Sequence, residues 1–162
     1  ASQAAERGWP ALPLGIFDDS PEAAVHFLHR PNAQVLVDGY NVSLKWRPDL
    51  SLAEQRAWLA DALNELALRH GLEVTLVFDG TEEAVSQLRP SQGSPVRVVF
   101  SPEGSEADDL LISLAAKRSP HREVVVVSSD NRVREGARRA GAAVLSSQAL
   151  LSELRRSPRV VE

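Results

Sequence analysis

Val35-Leu36-Val37-Asp38-Gly39-Tyr40-Asn41 runs three apolar residues straight into an aspartate and a glycine. A short continuous apolar run that stops at a turn signal predicts a buried strand, because the in-out alternation of a half-exposed strand disappears when both faces are covered. The same reading applies to residues 74–78, to Val96–Phe100, to the four consecutive valines Val124–Val127, and to a last short strand, Ala143–Leu145.

Helical patterns separate these runs. Residues 51–69 place Leu52, Leu59, Leu63 and Leu66 roughly on one face and stop at Gly71, a residue suited to the left-handed helix end. Residues 110–118, with Ser105 in place to cap them, the Arg-rich residues 131–140 closed by Gly141, and residues 147–156 complete the set, with a looser connection between the second and third strands. Apolar strands alternating with helices give an α/β fold, with a mainly parallel central sheet flanked by helices. Residues 1–34 are rich in Pro, Ala and polar residues and form a lead-in arm, with one short helix over 21–29 capped by Ser20 and opened by Pro21. The domain proper spans 35–156, and 157–162 is a tail.

At 162 residues the chain fits one domain, which buries roughly 70% of its unfolded surface. No apolar run approaches the roughly 18 residues needed to span a bilayer, so no membrane association is expected. Cysteine is absent, which rules out disulfides and thiolate chemistry and points to the cytoplasm, and the four histidines (His26, His29, His70, His121) lack zinc-motif spacing. Methionine is absent too, and a chain that opens at Ala1 reads as a processed product or a piece of a longer protein. The net charge of −4 is unusual for a nucleic-acid binder, but sixteen of the eighteen basic residues are Arg, the better phosphate and stacking cation. An acidic total is thus compatible with a basic rim around an acidic centre.

Ligands of an open parallel sheet sit beyond the carboxyl ends of its strands, and the acids of this chain gather there. Asp38 follows the first strand, Asp79 the second and Asp130 the fourth, while Glu106-Ala107-Asp108-Asp109 opens the helix after the third. Converging carboxylates repel one another unless a cation joins them, and hard oxygen donors without His or Cys suit Mg2+ or Mn2+. Such a site can activate water and neutralise charge on a phosphodiester. Each acid also has a structural reading. Ser105 and Asp108 fit a capping box, Asp130 can cap the helix that begins near Asn131, and Asp38 and Asp79 precede glycines as turn residues do. Asp79-Gly80-Thr81 matches the end of a phosphatase motif, but Val77 stands where that chemistry needs its nucleophile.

The ordered set Val35 to Val42, Val77-Phe78-Asp79-Gly80, Phe100-Ser101 through Glu106-Ala107-Asp108-Asp109, and Val126-Val127-Ser128-Ser129-Asp130 resembles the NYN domains of the YacP-like branch, within the PIN-like nuclease group. The resemblance runs from about Val35 to Leu154. It implies a PIN-like three-layer sandwich and a metal-dependent ribonuclease, in a group whose bacterial relatives include a ribosome-associated mRNA endonuclease. It further implies Asp38, Asp108 and Asp130 as catalytic metal ligands, with Asp109 beside them and Asn41, Asp79 and Glu106 in support.

The expected activity is hydrolysis of single-stranded RNA by an endoribonuclease using Mg2+ or Mn2+. Lys45 and Arg47 after the first strand, and Arg132 and Arg134 beyond Asp130, form the expected RNA-binding rim. Trp46 reads as a packing residue before a base-stacking one. The alternative is a noncatalytic RNA-binding or ribosome-docking module that keeps the fold.

Overall fold

The computed structural model describes residues 12–80, 94–102, 106–117 and 122–156. Five strands carry the fold: β1 (Gln34–Asp38), β2 (Glu73–Phe78), β3 (Val96–Phe100), β4 (Val124–Val127) and β5 (Ala143–Leu145). They form one all-parallel sheet in the order β3-β2-β1-β4-β5. Among the described residues six helices surround it: α1 (Pro21–Leu28), α2 (Gly39–Trp46), α3 (Leu52–His70), α4 (Ala107–Ala116), α5 (Asn131–Arg139) and α6 (Ser147–Arg155). Ser105, the looser connection between β2 and β3, the first eleven residues and the tail 157–162 lie outside the described residues.

The central strands β1, between its end residues, and β4 are apolar because each face meets a different layer of helices. Val35, Val37, Val125 and Val127 join the cluster built on α1, α3 and α6, whereas Leu36, Val124 and Val126 join the cluster built on α4 and α5. Successive side chains still point to opposite faces; both faces are simply buried. The result is an α/β/α sandwich of three layers.

Local chemistry sets the helix ends. Ser51 and Glu54 form a reciprocal capping box at the start of α3, and Gly71 ends it at φ +69°. Leu52, expected on the buried face, is exposed, because it occupies the first turn, short of the core that Leu59, Leu63 and Leu66 reach. Helix α2 was not evident in the sequence. It begins directly at the end of β1, has no side-chain cap and opens on Gly39. A Cβ there would sit 2.3 Å from the Phe78 ring, so glycine alone lets α2 turn tightly off the strand.

The described part of the lead-in arm is integral to the core. Ala23, Ala24, Phe27 and Leu28 of α1 are buried in the larger cluster, and the Ser146 amide bonds to the Asp18 carbonyl at 2.9 Å. No helix among the described residues is long and apolar enough to cross a membrane.

Candidate active site

The sheet order reverses direction between β1 and β4, which opens a crevice at the carboxyl ends of those two central strands. Parallel pairing sets Val37 opposite Val127, so the next residues out, Asp38 and Ser128, face each other across the crevice. The Ser128 hydroxyl donates to Asp38 Oδ2 at 2.8 Å. Asp38 stands at the N-cap position of α2 yet makes no cap bond, and its side chain is turned to the crevice partner instead. It is 8% exposed. Burial pushes its carboxyl up from 3.8 to about 6; the Ser128 hydroxyl acts against this, and the charges of Asp108, Asp130 and Asp79 add to it.

The other acids combine structural duties with this shared field. Asp130 caps α5, its Oδ1 accepting from the amides of Arg132 at 2.8 Å and Val133 at 3.3 Å. That leaves Oδ2 outside the cap. Asp79 Oδ1 accepts from the Ala107 amide at 2.8 Å and so fixes the start of α4, the helix that carries Asp108 and Asp109. Glu106 takes the N-cap position of α4 without a cap bond, which sets Asp108 at its second position and removes it from the capping-box register. Burial, then the charge of Asp130, raises the Asp108 pKa, while Arg132 opposes the rise.

Arg132 enters this acidic group directly. Its guanidinium reaches Asp109 at 2.5 Å, Glu106 at 3.2 Å and Asp108 at 3.5 Å. Among the described residues no three carboxylate oxygens of the strand-end acids lie within 4.8 Å of one another. The acids therefore surround the crevice without meeting at one point, and a cation there would take one or two carboxylates directly and water for the rest, as Mg2+ commonly does.

Asn41 braces the crevice from α2. Its Oδ1 accepts from the Ser129 amide at 2.9 Å and from the Ser147 hydroxyl at 2.6 Å, joining the β4–α5 loop to the start of α6. Ser128 and Ser147 escaped the sequence reading. Their signal was the neighbouring of β1 and β4, which no local pattern reveals.

The expected basic rim divides in two. Arg134, read from the sequence as an RNA contact, is committed inward: it holds Asp18 at 2.6 Å and the Ser128 carbonyl at 3.2 Å, and is 14% exposed. It is a strut between the arm and the crevice loop. Arg47 is paired with Asp49 through two bonds of 2.9 Å and lies over the Trp46 ring, and Trp46 stacks on Trp58 with centroids 3.4 Å apart. Packing thus claims Trp46, as expected, against Trp58. Lys45 is exposed and lines a cavity of about 500 Å³ with Asp19, Gln148, Ser152 and Arg155.

A cap and a crevice acid in one residue give a direct expectation for Asp130. Asp130→Ala is expected to cost about 0.5–2 kcal/mol of stability, and Asp130→Asn, which can still cap, only a few tenths. Urea unfolding midpoints of the two variants check this; equal losses would deny the cap its role.

Comparison with known proteins accords with this architecture. A search of curated proteins gave no match. Similar solved structures include a mutant form of Rae1 (YacP) from Bacillus subtilis, at 27% identity over 80% of this chain and 79% of that one with a TM-score of 0.66, and Rae1 (YacP) without that mutation, at 26% identity over 78% and 76% with a TM-score of 0.64. The sheet and its helices are accordingly those of a PIN-like fold. The sequence profile of the YacP-like NYN domain matches residues 35–162, and the chain belongs to that nuclease-type family.

Proposed function

We propose that this protein is an endoribonuclease that hydrolyses single-stranded RNA in the cytoplasm, with Mg2+ or Mn2+ held by Asp38, Asp108 and Asp130, one or two of them directly and the rest through water. The observation that carries the reading is Asp38: a buried carboxylate at the switch point, its pKa raised to about 6 by burial and by three neighbouring aspartates. A fold does not keep such a group beside like charges without a use for it, and oxygen-only donors fit a hard cation. When bound, the cation supplies a Lewis acid for phosphate oxygens and makes water easier to deprotonate.

The chain's own residues position the rest. Ser128 fixes the rotamer of Asp38, Asp79 fixes the helix end that presents Asp108, and Asn41 anchors the loop that presents Asp130. Arg132 lies beside Glu106, Asp108 and Asp109, and with a cation held by the acids its guanidinium is free to hold the scissile phosphate. As water's oxygen bonds to phosphorus in line, its proton passes to an ionised carboxylate of the cluster, and the opposite P–O bond breaks with its oxygen taking a proton from solvent. The cavity lined by Lys45, Gln148 and Arg155 offers two basic side chains to an RNA backbone, and mRNA on the ribosome is the substrate we assign to the protein.

One observation favours a noncatalytic RNA-binding module: Arg132 pairs with Glu106, Asp108 and Asp109 and so offsets part of their charge. Cleavage separates the two readings. Labelled single-stranded RNA should be cut in Mg2+ or Mn2+, spared in chelator, and spared by Asp108→Asn. Binding without cutting under all three conditions would select the module.

Arg132→Ala carries a second expectation. Losing one phosphate contact should lower the slope of log K against log salt by about 0.7 for a single strand. The same change should tighten Mn2+ binding, since a competing cation has gone. An unchanged slope would place the RNA path elsewhere.

A further inference from the structure

At the opposite end of the sheet, where the chain enters β1 and β2, three residues distant in sequence come together. His29 ends α1, His70 ends α3 and Glu153 lies six residues into α6. One ligand atom from each lies within 4.8 Å of the others. His29 Nε2 is 2.7 Å from Glu153 Oε2, and the His29 and His70 rings stack with centroids 3.9 Å apart and planes 15° apart. Arg156 holds the other Glu153 oxygen, Oε1, at 3.0 Å, which leaves Oε2 directed to the histidines.

We propose that His29, His70 and Glu153 form a second metal site, for a borderline divalent cation of the zinc class, which fastens α1 to α3 and α6. Two imidazoles and one carboxylate are a donor set that Zn2+, Co2+ and Ni2+ favour and Mg2+ does not. Bonds of about 2.0–2.2 Å in a tetrahedral site put donors about 3.4 Å apart, so the His29–Glu153 pair, now at 2.7 Å, must open by about 0.7 Å and the other separations, at most 4.8 Å, must close by no more than about 1.4 Å. Turning one ring about its soft χ2 converts the stack into a convergent pair, and for His29 to ligate through Nε2 the neutral ring keeps its one proton on Nδ1, any second proton passing to water as the ion enters. Burial, with His29 alongside, lowers the pKa of His70 and keeps it in the neutral form that ligates. Three protein donors leave the fourth position to water. Glu153 is only 5% exposed, so the carboxylate is already desolvated and directional.

The site is tested on the tag-free, chelator-treated full chain with Co2+ and Zn2+ alone. Co2+ should bind one to one with the intense visible absorption of a tetrahedral site. Zn2+ at about a hundredfold excess over its Kd should raise the Tm by about 5–10 °C. His70→Ala should abolish both signals, Glu153→Gln should weaken them, and Asp108→Asn and excess Mg2+ should leave them intact. No cobalt absorption and no zinc shift in the wild type would overturn the proposal. So would signals that survive in both His70→Ala and Glu153→Gln, or that vanish in Asp108→Asn, which would move the ion to the acidic crevice.

Discussion

Replacing Asp38 with Asn is expected to make the metal-free protein more stable and to leave it unable to cut RNA. The Asp38 carboxyl titrates near 3.8 in an unfolded chain and at about 6 in the fold. Between those values the folded state holds a proton that the unfolded state has lost, so stability falls as pH rises from about 4 to about 6 and stays lowered above that. A shift of about two units corresponds to roughly 3 kcal/mol at neutral pH. Asn keeps an oxygen for the Ser128 hydroxyl and places an uncharged amide among Asp79, Asp108 and Asp130. The variant should therefore gain about 1–3 kcal/mol at pH 7.5, worth about 2–12 °C in Tm, and should show little gain at pH 4. Cleavage should drop by at least about a hundredfold, because a ligand of the charge that stabilises the transition state is lost. A variant that is less stable yet still cuts would show Asp38 to be a structural acceptor.

Asn41→Ala should be the most damaging of the polar substitutions around the crevice. It removes one oxygen that serves two donors, the Ser129 amide and the Ser147 hydroxyl, both partly buried. A buried donor left without an acceptor costs about 1–3 kcal/mol, and because both donors are only partly buried the pair should cost about 2–4 kcal/mol, the lower part of the doubled range. The β4–α5 loop, which carries Ser128 and Asp130, loses its tie to α6, and cleavage should fall along with stability. Asn41→Asp retains the acceptor and should fold, but it adds a charge beside the aspartates. A urea midpoint for Asn41→Ala within about 0.5 kcal/mol of wild type, at unchanged m, would mean that water replaces the side chain and that the brace is dispensable.

How much of this was legible depended on whether the signal was local. The strands were, because four valines in a row or a run such as Val35-Leu36-Val37 leave little alternative. The acids were as well, since each stands one or a few residues past a strand or at a helix start. Helix α2 was hidden by Gly39 and the missing cap, both of which reflect the tight departure from β1 against Phe78. Strand order was hidden too, and with it the Asp38–Ser128 bond, which exists only because β4 lies beside β1. Arg132 and Arg134 look alike in sequence but face opposite duties, one among the acids and one on Asp18. The histidines showed no motif because their partners come from three separate helices or helix ends.

The central claim is that Asp38 is a cation ligand held ready at the switch point. Its carboxyl can be followed by carbon NMR through a pH titration, once in chelator and once in saturating Mg2+. Without metal the carboxyl should titrate at about 6. With Mg2+ its midpoint should fall below the ordinary aspartate value near 3.9, since the ion stabilises the charged form. A midpoint near 6 in both solutions would contradict the assignment.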